Sequence, residues 1–156
     1  MRSTELLIKW WNDLQEDVGD RAELRRCNTL EEIRMTRTFN ILKKKVDQTE
    51  DGLHAISLSI VAGLMSFITK NSDTPLPEAM GKPPKGEKLP PVRSNSLQIL
   101  LRTEDRIDLY EQLRRIILKL DRQVNLKDLI NLIRFWGLKN RERLAMDYWR
   151  HAPEEA

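Results

Sequence analysis

Apolar positions recur at helical spacing through most of this chain, and the clearest run is 106–133. One buried stripe is marked there by five residues: Leu109, Leu113, Ile116, Ile117 and Leu120. At about 100° per residue, Arg115 and Arg122 project from the opposite face of the predicted helix. Arg114 and Lys119 lie on its flanks. The run therefore predicts packing on one side and a basic, solvent-facing ridge on the other.

Shorter versions of the same pattern predict further helices along the chain. A Thr-x-x-Glu sequence from Thr29 to Glu32 fits a capping box, and Asn125 is placed to cap a helix near the C-terminus. The most apolar segment, 53–70, predicts the central helix of a bundle. No segment alternates with period two for long enough to predict a strand. The predicted fold is all-α, a compact bundle of several short helices.

A different composition separates the two helical regions. Six of the seven prolines fall within 71–95, together with several lysines. This pattern predicts one long Pro/Lys-rich loop between N-terminal helices, 1–70, and C-terminal helices, 96–152. The loop could be mobile in isolation and become ordered only against a partner. We interpret 1–156 as a single helical domain.

Charge and cysteine content narrow the class of protein. The formal net charge is +3, so a site for a polyanion requires local segregation of bases. A single cysteine, Cys27, excludes an internal disulfide and favours a reducing cytosol. The N-terminus lacks the pattern of a signal peptide, and the apolar run 53–68 is shorter than the ~20 residues of a membrane span. A cytoplasmic protein without a membrane partner is predicted.

Catalytic and metal-binding patterns are missing from the sequence. Cys27, His54 and His151 are too few and too isolated to suggest a zinc set or a Cys–His pair. His54 is expected to be a packed core residue. No glycine-rich phosphate-binding loop occurs. We therefore predict no enzyme activity, no catalytic residue, no metal and no cofactor.

Basic residues offer the remaining candidate chemistry. Arginine outnumbers lysine in three predicted helical segments, RAELRR, TEDRIDLYEQLRR and LKNRERL, and its planar fork suits bidentate phosphate contacts. The run 43–45 of three lysines favours an ordinary solvated helix face. Core packing is favoured for the four tryptophans, so any nucleic-acid binding is expected to be directed at the backbone.

Two stretches give a family resemblance: WWNDLQEDVGDRAELRRCNTLEEIR near the start, and LLRTEDRIDLYEQLRRIILKL followed by LINLIRFWG near the end. The chain resembles the small subunit of the type I-E CRISPR surveillance complex Cascade, the CasB family. The matching pattern is a tryptophan-bearing first helix, a glycine, a RAxLRR helix, an R-x-x-x-R…LRR segment and a Trp-Gly break before a basic last helix. It covers most of the chain except 71–95, and its specificity lies in the order and spacing of all the motifs together.

The resemblance implies a non-enzymatic, all-helical subunit that is present as two copies head to tail. Such subunits bridge the Cascade large subunit and the backbone subunits, line the path of the guide RNA (crRNA), the target DNA and the displaced DNA strand, and stabilise the R-loop. Eight positions match the basic residues of the family pattern and form the implied nucleic-acid-binding set: Arg25, Arg26, Arg102, Arg106, Arg114, Arg115, Lys139 and Arg141.

Two other classes of function stay open from the residues alone. A helical scaffold or adaptor would use the same arginines only for salt bridges to other proteins. A helix-turn-helix regulator is disfavoured, because no short Gly-containing turn joins two helices of the right size around a recognition helix.

Overall fold

The computed structural model describes all residues of the chain, 1–156, and confirms the predicted all-α fold. Ten helices are joined by mostly short connections, and the two strands have two residues each. In chain order the elements are α1 Ser3–Glu16, α2 Val18–Arg26, α3 Leu30–Met35, α4 Arg37–Asp47, α5 Ala55–Met65, β1 Lys70–Asn71, α6 Leu76–Gly81, α7 Ser94–Leu101, α8 Arg106–Lys119, β2 Gln123–Val124, α9 Leu126–Arg134 and α10 Leu138–His151.

The chain divides into two compact units, Met1–Thr69 and Lys70–Ala156. In the first unit α5 is the central helix, and every residue from Ser57 to Met65 is buried because the helix is apolar on almost all sides. Helices α2, α3 and α4 pack against α5, and α1 packs against α2 and α4. None of the helices in the chain is long and apolar enough to cross a membrane.

The central helix is shorter than the sequence predicts, and the assignment of His54 to the core is wrong. His54 is exposed and caps α5, where its Nδ1 accepts a hydrogen bond from the backbone N–H of Ile56 at 3.3 Å. The first N–H groups of a helix have no partner within the helix, so an imidazole nitrogen at this position satisfies one of them. Local capping therefore outweighs the apolar surroundings of His54 in the sequence.

Two of the predicted helix caps are confirmed. The N–H of Glu32 donates to Thr29 Oγ1 at 3.1 Å, and the Glu32 carboxylate accepts from the N–H of Asn28 at 2.8 Å. Asn125 Oδ1 accepts from the N–H of Asp128 at 3.0 Å at the start of α9. Both caps join residues within four positions of each other, so sequence spacing is sufficient to predict them.

The second unit is built around the close packing of α6 on α10. A Cβ atom at Gly81 would lie 2.7 Å from the backbone oxygen of Tyr148, so glycine is required for this approach. The Tyr148 side chain is buried, and its hydroxyl donates to the carbonyl of Val92 at 2.6 Å. Burial raises the pKa of the Tyr148 phenol. Helix α10 thereby contacts both the middle and the end of the Pro-rich segment, at Gly81 and Val92.

The Pro-rich segment 71–95 carries more structure than the predicted loop. Strand β1 pairs in parallel with β2, α6 places Pro77 in its first turn, and three apolar residues are buried: Leu76, Met80 and Val92. Proline is tolerated in the first turn of a helix because an N–H there has no partner within the helix. The N–H of Leu76 instead donates to the Asp128 carboxylate at 2.8 Å, which links this segment to α9.

The predicted apolar stripe of α8 is confirmed, but the helix ends before the last residue of the predicted basic ridge, Arg122. Asp121 and Arg122 adopt left-handed backbone conformations, with φ of 55° and 62°, and the N–H of Arg122 donates to the carbonyl of Ile117 at 3.0 Å. Arg122 therefore lies outside the helix. Its predicted position on the face opposite the stripe is wrong, because helical phase does not apply beyond Lys119.

Candidate nucleic-acid interface

The eight predicted cations fall into two groups. Four of them are exposed, and their side chains form no hydrogen bond or ion pair within the chain: Arg26, Arg102, Arg115 and Lys139. The other four are half-buried and contact other parts of their own unit: Arg25, Arg106, Arg114 and Arg141. The eight residues thus differ in exposure and in internal contacts, although the sequence pattern does not distinguish them.

Arg25 and Arg26 are neighbours in the last turn of α2, but they face different surroundings. The Arg25 Nε–H donates to the carbonyl of Ser66 at 2.6 Å, and the guanidinium lies 5.7 Å from the ring centroid of Phe67. Arg25 therefore holds α2 against the end of α5. Consecutive helical residues point about 100° apart, so Arg26 projects into solvent.

In the second unit, two arginines bind backbone oxygens at helix ends. Arg106 Nη1 donates to the carbonyl of Ile133 in α9 at 3.2 Å, and Arg141 Nη1 donates to the carbonyl of Leu101 in α7 at 3.2 Å. The last carbonyls of a helix have no partner within the helix and carry partial negative charge, so cationic donors suit them. Arg106 and Arg141 thus connect four helices through their termini.

Trp136 belongs to the same junction. Its indole N–H donates to the carbonyl of Thr103 at 2.7 Å, and the Arg141 guanidinium lies 5.6 Å from its ring centroid. Arg141 Nε is buried and has no hydrogen-bond partner. Arg102 lies in the chain between Leu101 and Thr103, whose carbonyls accept these two hydrogen bonds. Its own side chain is exposed.

Arg114 and Arg115 lie about 12 Å further along α8 from Arg106, at 1.5 Å per residue. Arg114 pairs with Glu111 one turn earlier at 3.2 Å, and both side chains are more than a third exposed. Such a pair contributes only about 0–1 kcal/mol, so a phosphate can replace the carboxylate with little loss. Arg115 is exposed and has no such partner.

The aromatic residues only partly follow the predicted core packing. Trp11 is buried, and its indole N–H donates to the carbonyl of Ile68 at 2.9 Å. Trp149 is 40% exposed and meets Tyr148 edge to face, with ring centroids 5.2 Å apart. The expected burial of Trp149 is wrong, because the buried positions of α10 are Leu144 and Tyr148, and Trp149 lies about 100° around the helix from Tyr148.

An open groove of about 610 Å³ lies in the second unit between α6, α9 and α10. Its lining carries both acidic and basic side chains: Arg150 lies 3.5 Å from Asp147, and His151 lies 3.7 Å from Glu78. A groove with alternating charges does not attract a polyanion. The chain contains no group of three or more His, Cys, Asp or Glu side chains that could hold a metal ion.

These features define a class: a small all-α protein that presents unpaired arginines and lysines on helical surfaces. Residues 20–149 match the family model of the CRISPR-associated protein Cse2, and the chain belongs to this family. It is the family that the sequence resemblance indicated.

One solved structure has the same fold over nearly the whole chain. It is a chain of the crystal structure of E. coli Cascade bound to a PAM-containing dsDNA target, with a TM-score of 0.72 and 18% sequence identity. The alignment covers 97% of this chain and 99% of that chain. At this identity the likeness concerns the fold. No curated protein matches the chain.

Proposed function

We propose that this protein is the non-catalytic small subunit of a CRISPR RNA-guided DNA surveillance complex of the Cascade type. It contacts phosphates of the guide RNA, the target DNA and the displaced strand, and it stabilises the R-loop. The observation that carries the proposal is the exposure of Arg26, Arg102, Arg115 and Lys139 without internal partners in a chain of the Cse2 family.

Unpaired cations suit this task on energetic grounds. R-loop formation is nearly balanced, because the heteroduplex is about as stable as the DNA duplex that it replaces. A few phosphate contacts are therefore sufficient to decide whether the open state persists. An exposed arginine gives up only water when it binds a phosphate, so no internal bond of the protein has to be broken.

The half-buried arginines have a smaller part in the proposed interface. A guanidinium carries five N–H donors, so the carbonyl contacts of Arg106 and Arg141 leave other donors for a phosphate. Arg25, like Arg106 and Arg141, contacts a backbone carbonyl of another segment. These residues also hold helices in place. We expect their substitution to change stability as well as nucleic-acid binding.

The proposed partners follow from the family and the fold. They are a second copy of this chain, the Cascade large subunit and the backbone subunits. The family match and the fold shared with a chain of E. coli Cascade support an assembly of this kind. A cytoplasmic location is proposed with it, because guide RNA and target DNA are found there.

A reconstituted complex with Arg26→Glu/Arg115→Glu tests the proposal. We expect its affinity for target DNA to fall at least about tenfold, because two phosphate contacts become repulsive. The slope of log affinity against log salt should flatten by roughly 1.4, at roughly 0.7 per single-stranded contact. The measurement is target binding over a series of salt concentrations.

The matched control is Lys82→Glu/Lys85→Glu, which makes the same charge change at exposed positions outside the proposed set. Circular dichroism should show unchanged helix content for both variants. If the complex with Arg26→Glu/Arg115→Glu binds its target as tightly as the wild type does, the proposed function is incorrect.

A helical scaffold that contacts only proteins is the alternative, and α10 gives a specific reason to keep it. Leu138, Met146 and Trp149 lie on one exposed face of this helix. Exposed apolar groups in such an arrangement are typical of protein interfaces. Titration of the purified chain with single-stranded DNA at low ionic strength separates the two functions, since a pure scaffold shows no salt-dependent binding.

A further inference from the structure

We infer that a second phosphate-binding surface lies on α4, in addition to the eight residues of the proposed interface. The α4 basic face consists of Arg37, Lys44 and Lys45, and its ligand is the phosphate backbone of a single-stranded nucleic acid. The inference rests on the proposed function, because it adds a contact surface for the same class of ligand. None of the three residues belongs to the family's basic pattern.

Helical phase places the three bases together. At 100° per residue, Arg37 and Lys44 lie about 20° apart around the α4 axis, and Lys45 lies about 80° from Arg37. All three are exposed. The buried side of the helix carries Phe39, Leu42 and Val46, which face the core of the first unit. The orientation of the basic face is therefore fixed by the packing of the opposite side.

The acidic side chains nearest in sequence already have partners. Asp47 pairs with Lys43 at the edge of the exposed side, and Glu31 lies 3.8 Å from Arg34. Glu32 accepts from the N–H of Asn28. The side chains of Arg37, Lys44 and Lys45 form no hydrogen bond or ion pair within the chain. Three positive charges are thus left without compensation on one side of an eleven-residue helix.

The start of α4 is held rigidly, so the face is presented in one orientation. Thr36 Oγ1 accepts from the N–H of Phe39 at 3.0 Å and caps the helix. The Asn40 side-chain N–H group donates to the carbonyls of Arg34 and Thr36 at 2.9 and 2.7 Å. These bonds join the end of α3 to the first turn of α4. A fixed helix loses little conformational freedom when a ligand binds.

The chemistry of the face favours nucleic acid over a protein partner. Protein interfaces have an apolar centre and are depleted in lysine. The α4 basic face has two lysines and a single apolar residue, Ile41, which is only 38% exposed. Arg37 and Lys44 are separated by about 10.5 Å along the axis, at 1.5 Å per residue, so their long side chains reach separate phosphates of one strand. An extended polyanion matches this arrangement.

The experiment compares the full chain with the variant Arg37→Gln/Lys44→Gln/Lys45→Gln. Binding to fluorescein-labelled oligothymidylate and to oligouridylate of equal length is measured by fluorescence anisotropy over a series of salt concentrations. We expect the slope of log affinity against log salt to be smaller in magnitude by roughly 2 for the variant than for the wild type, at roughly 0.7 per contact. A larger loss with oligouridylate identifies RNA as the preferred strand, and a larger loss with oligothymidylate identifies DNA.

The control Lys82→Gln/Lys85→Gln/Lys88→Gln removes three exposed lysines and has the same net charge as the variant. A loss of slope that is equal in variant and control shows a general charge effect and overturns the inference. If the triple variant does not fold, Arg37→Gln/Lys44→Gln is used in its place, with a loss of roughly 1.4 expected.

Failure of the inference is distinguishable from failure of the proposed function. An unchanged slope in the α4 variant, together with weaker binding by Arg26→Gln/Arg115→Gln, overturns the inference and leaves the function standing. Absence of salt-dependent binding by the wild type overturns both. An α4 variant that keeps its slope but no longer assembles with the other subunits shows that this face binds protein, and it too overturns the inference.

Discussion

Arg25 and Arg26 differ in the structure although they are adjacent in the sequence. One binds the carbonyl of Ser66 and lies over Phe67, and the other projects into solvent. A pattern of basic residues cannot make this distinction, because both the carbonyl and the ring belong to a segment more than forty positions away. The same applies to Arg141 and Lys139 in the second unit, of which only Arg141 binds a helix end.

Substitution of the two neighbours should have different consequences. We expect Arg25→Gln to lower the free energy of unfolding by about 1–3 kcal/mol, because the Ser66 carbonyl loses its charged donor. Arg26→Gln should stay within about 0.5 kcal/mol of the wild type, as is usual for an exposed residue. Urea denaturation measures both. Equal stability of the two variants would contradict the structural role of Arg25.

The lone cysteine offers a test of local electrostatics. Burial, and then the negative charges of Glu32 and Glu23, raise the pKa of the Cys27 thiol, while Arg26 lowers it. A raised pKa leaves less thiolate at a given pH, so alkylation by iodoacetamide should be slow at neutral pH and should accelerate only in alkaline solution.

Glu32→Gln should shift this alkylation profile towards lower pH, because it removes one negative charge and keeps an oxygen to accept the Asn28 N–H. Arg26→Gln should shift the profile in the opposite direction. The measurement is the alkylation rate as a function of pH, and coincident profiles for the wild type and Glu32→Gln would disprove this account of the thiol.

At the scale of elements, some features of the helices depend on neighbouring residues, and others depend on residues far along the chain. The capping box at Thr29 and the cap at Asn125 act within four residues, so the sequence predicts them. The buried positions of Met80 and Val92 depend instead on α10, which lies far along the chain. The segment 71–95 therefore looks like a tether in the sequence, although it contributes to the core of the second unit.

The contact between α6 and α10 can be disrupted with a single methyl group. We expect Gly81→Ala to destabilise the protein by about 1–3 kcal/mol, because the new Cβ would lie 2.7 Å from the Tyr148 backbone oxygen. Gly137→Ser is the control, since nothing lies within 4 Å of a Cβ there and serine suits the start of α10. Thermal unfolding compares the two, and similar melting temperatures would argue against close packing at Gly81.

At the scale of the whole molecule, a net charge of +3 is small for a protein that is proposed to bind nucleic acid. The bases must therefore act through local groups, and the chain alone should bind weakly. Phosphate contacts carry no sequence information.

We accordingly expect oligothymidylate and a mixed-sequence DNA strand of equal length to bind the purified chain with affinities that agree within about twofold. Both affinities should fall together as salt rises, because the released counterions are the same. Competition in fluorescence anisotropy measures this. A strong preference for one base would require direct base contacts, for which the exposed Trp149 is the first candidate.

The sequence by itself determined the helical class, several caps, the apolar stripe of α8 and the family, because these depend on short-range spacing and on the order of motifs. The tertiary structure decided which cations form hydrogen bonds within the protein, since their partners are carbonyls at the ends of distant helices. It also decided that 71–95 is partly core, that α8 ends before Arg122, and that the bases of α4 have no acidic partner. The internal hydrogen bonds of the cations and the burial within 71–95 depend on atoms far along the chain, where periodicity carries no information.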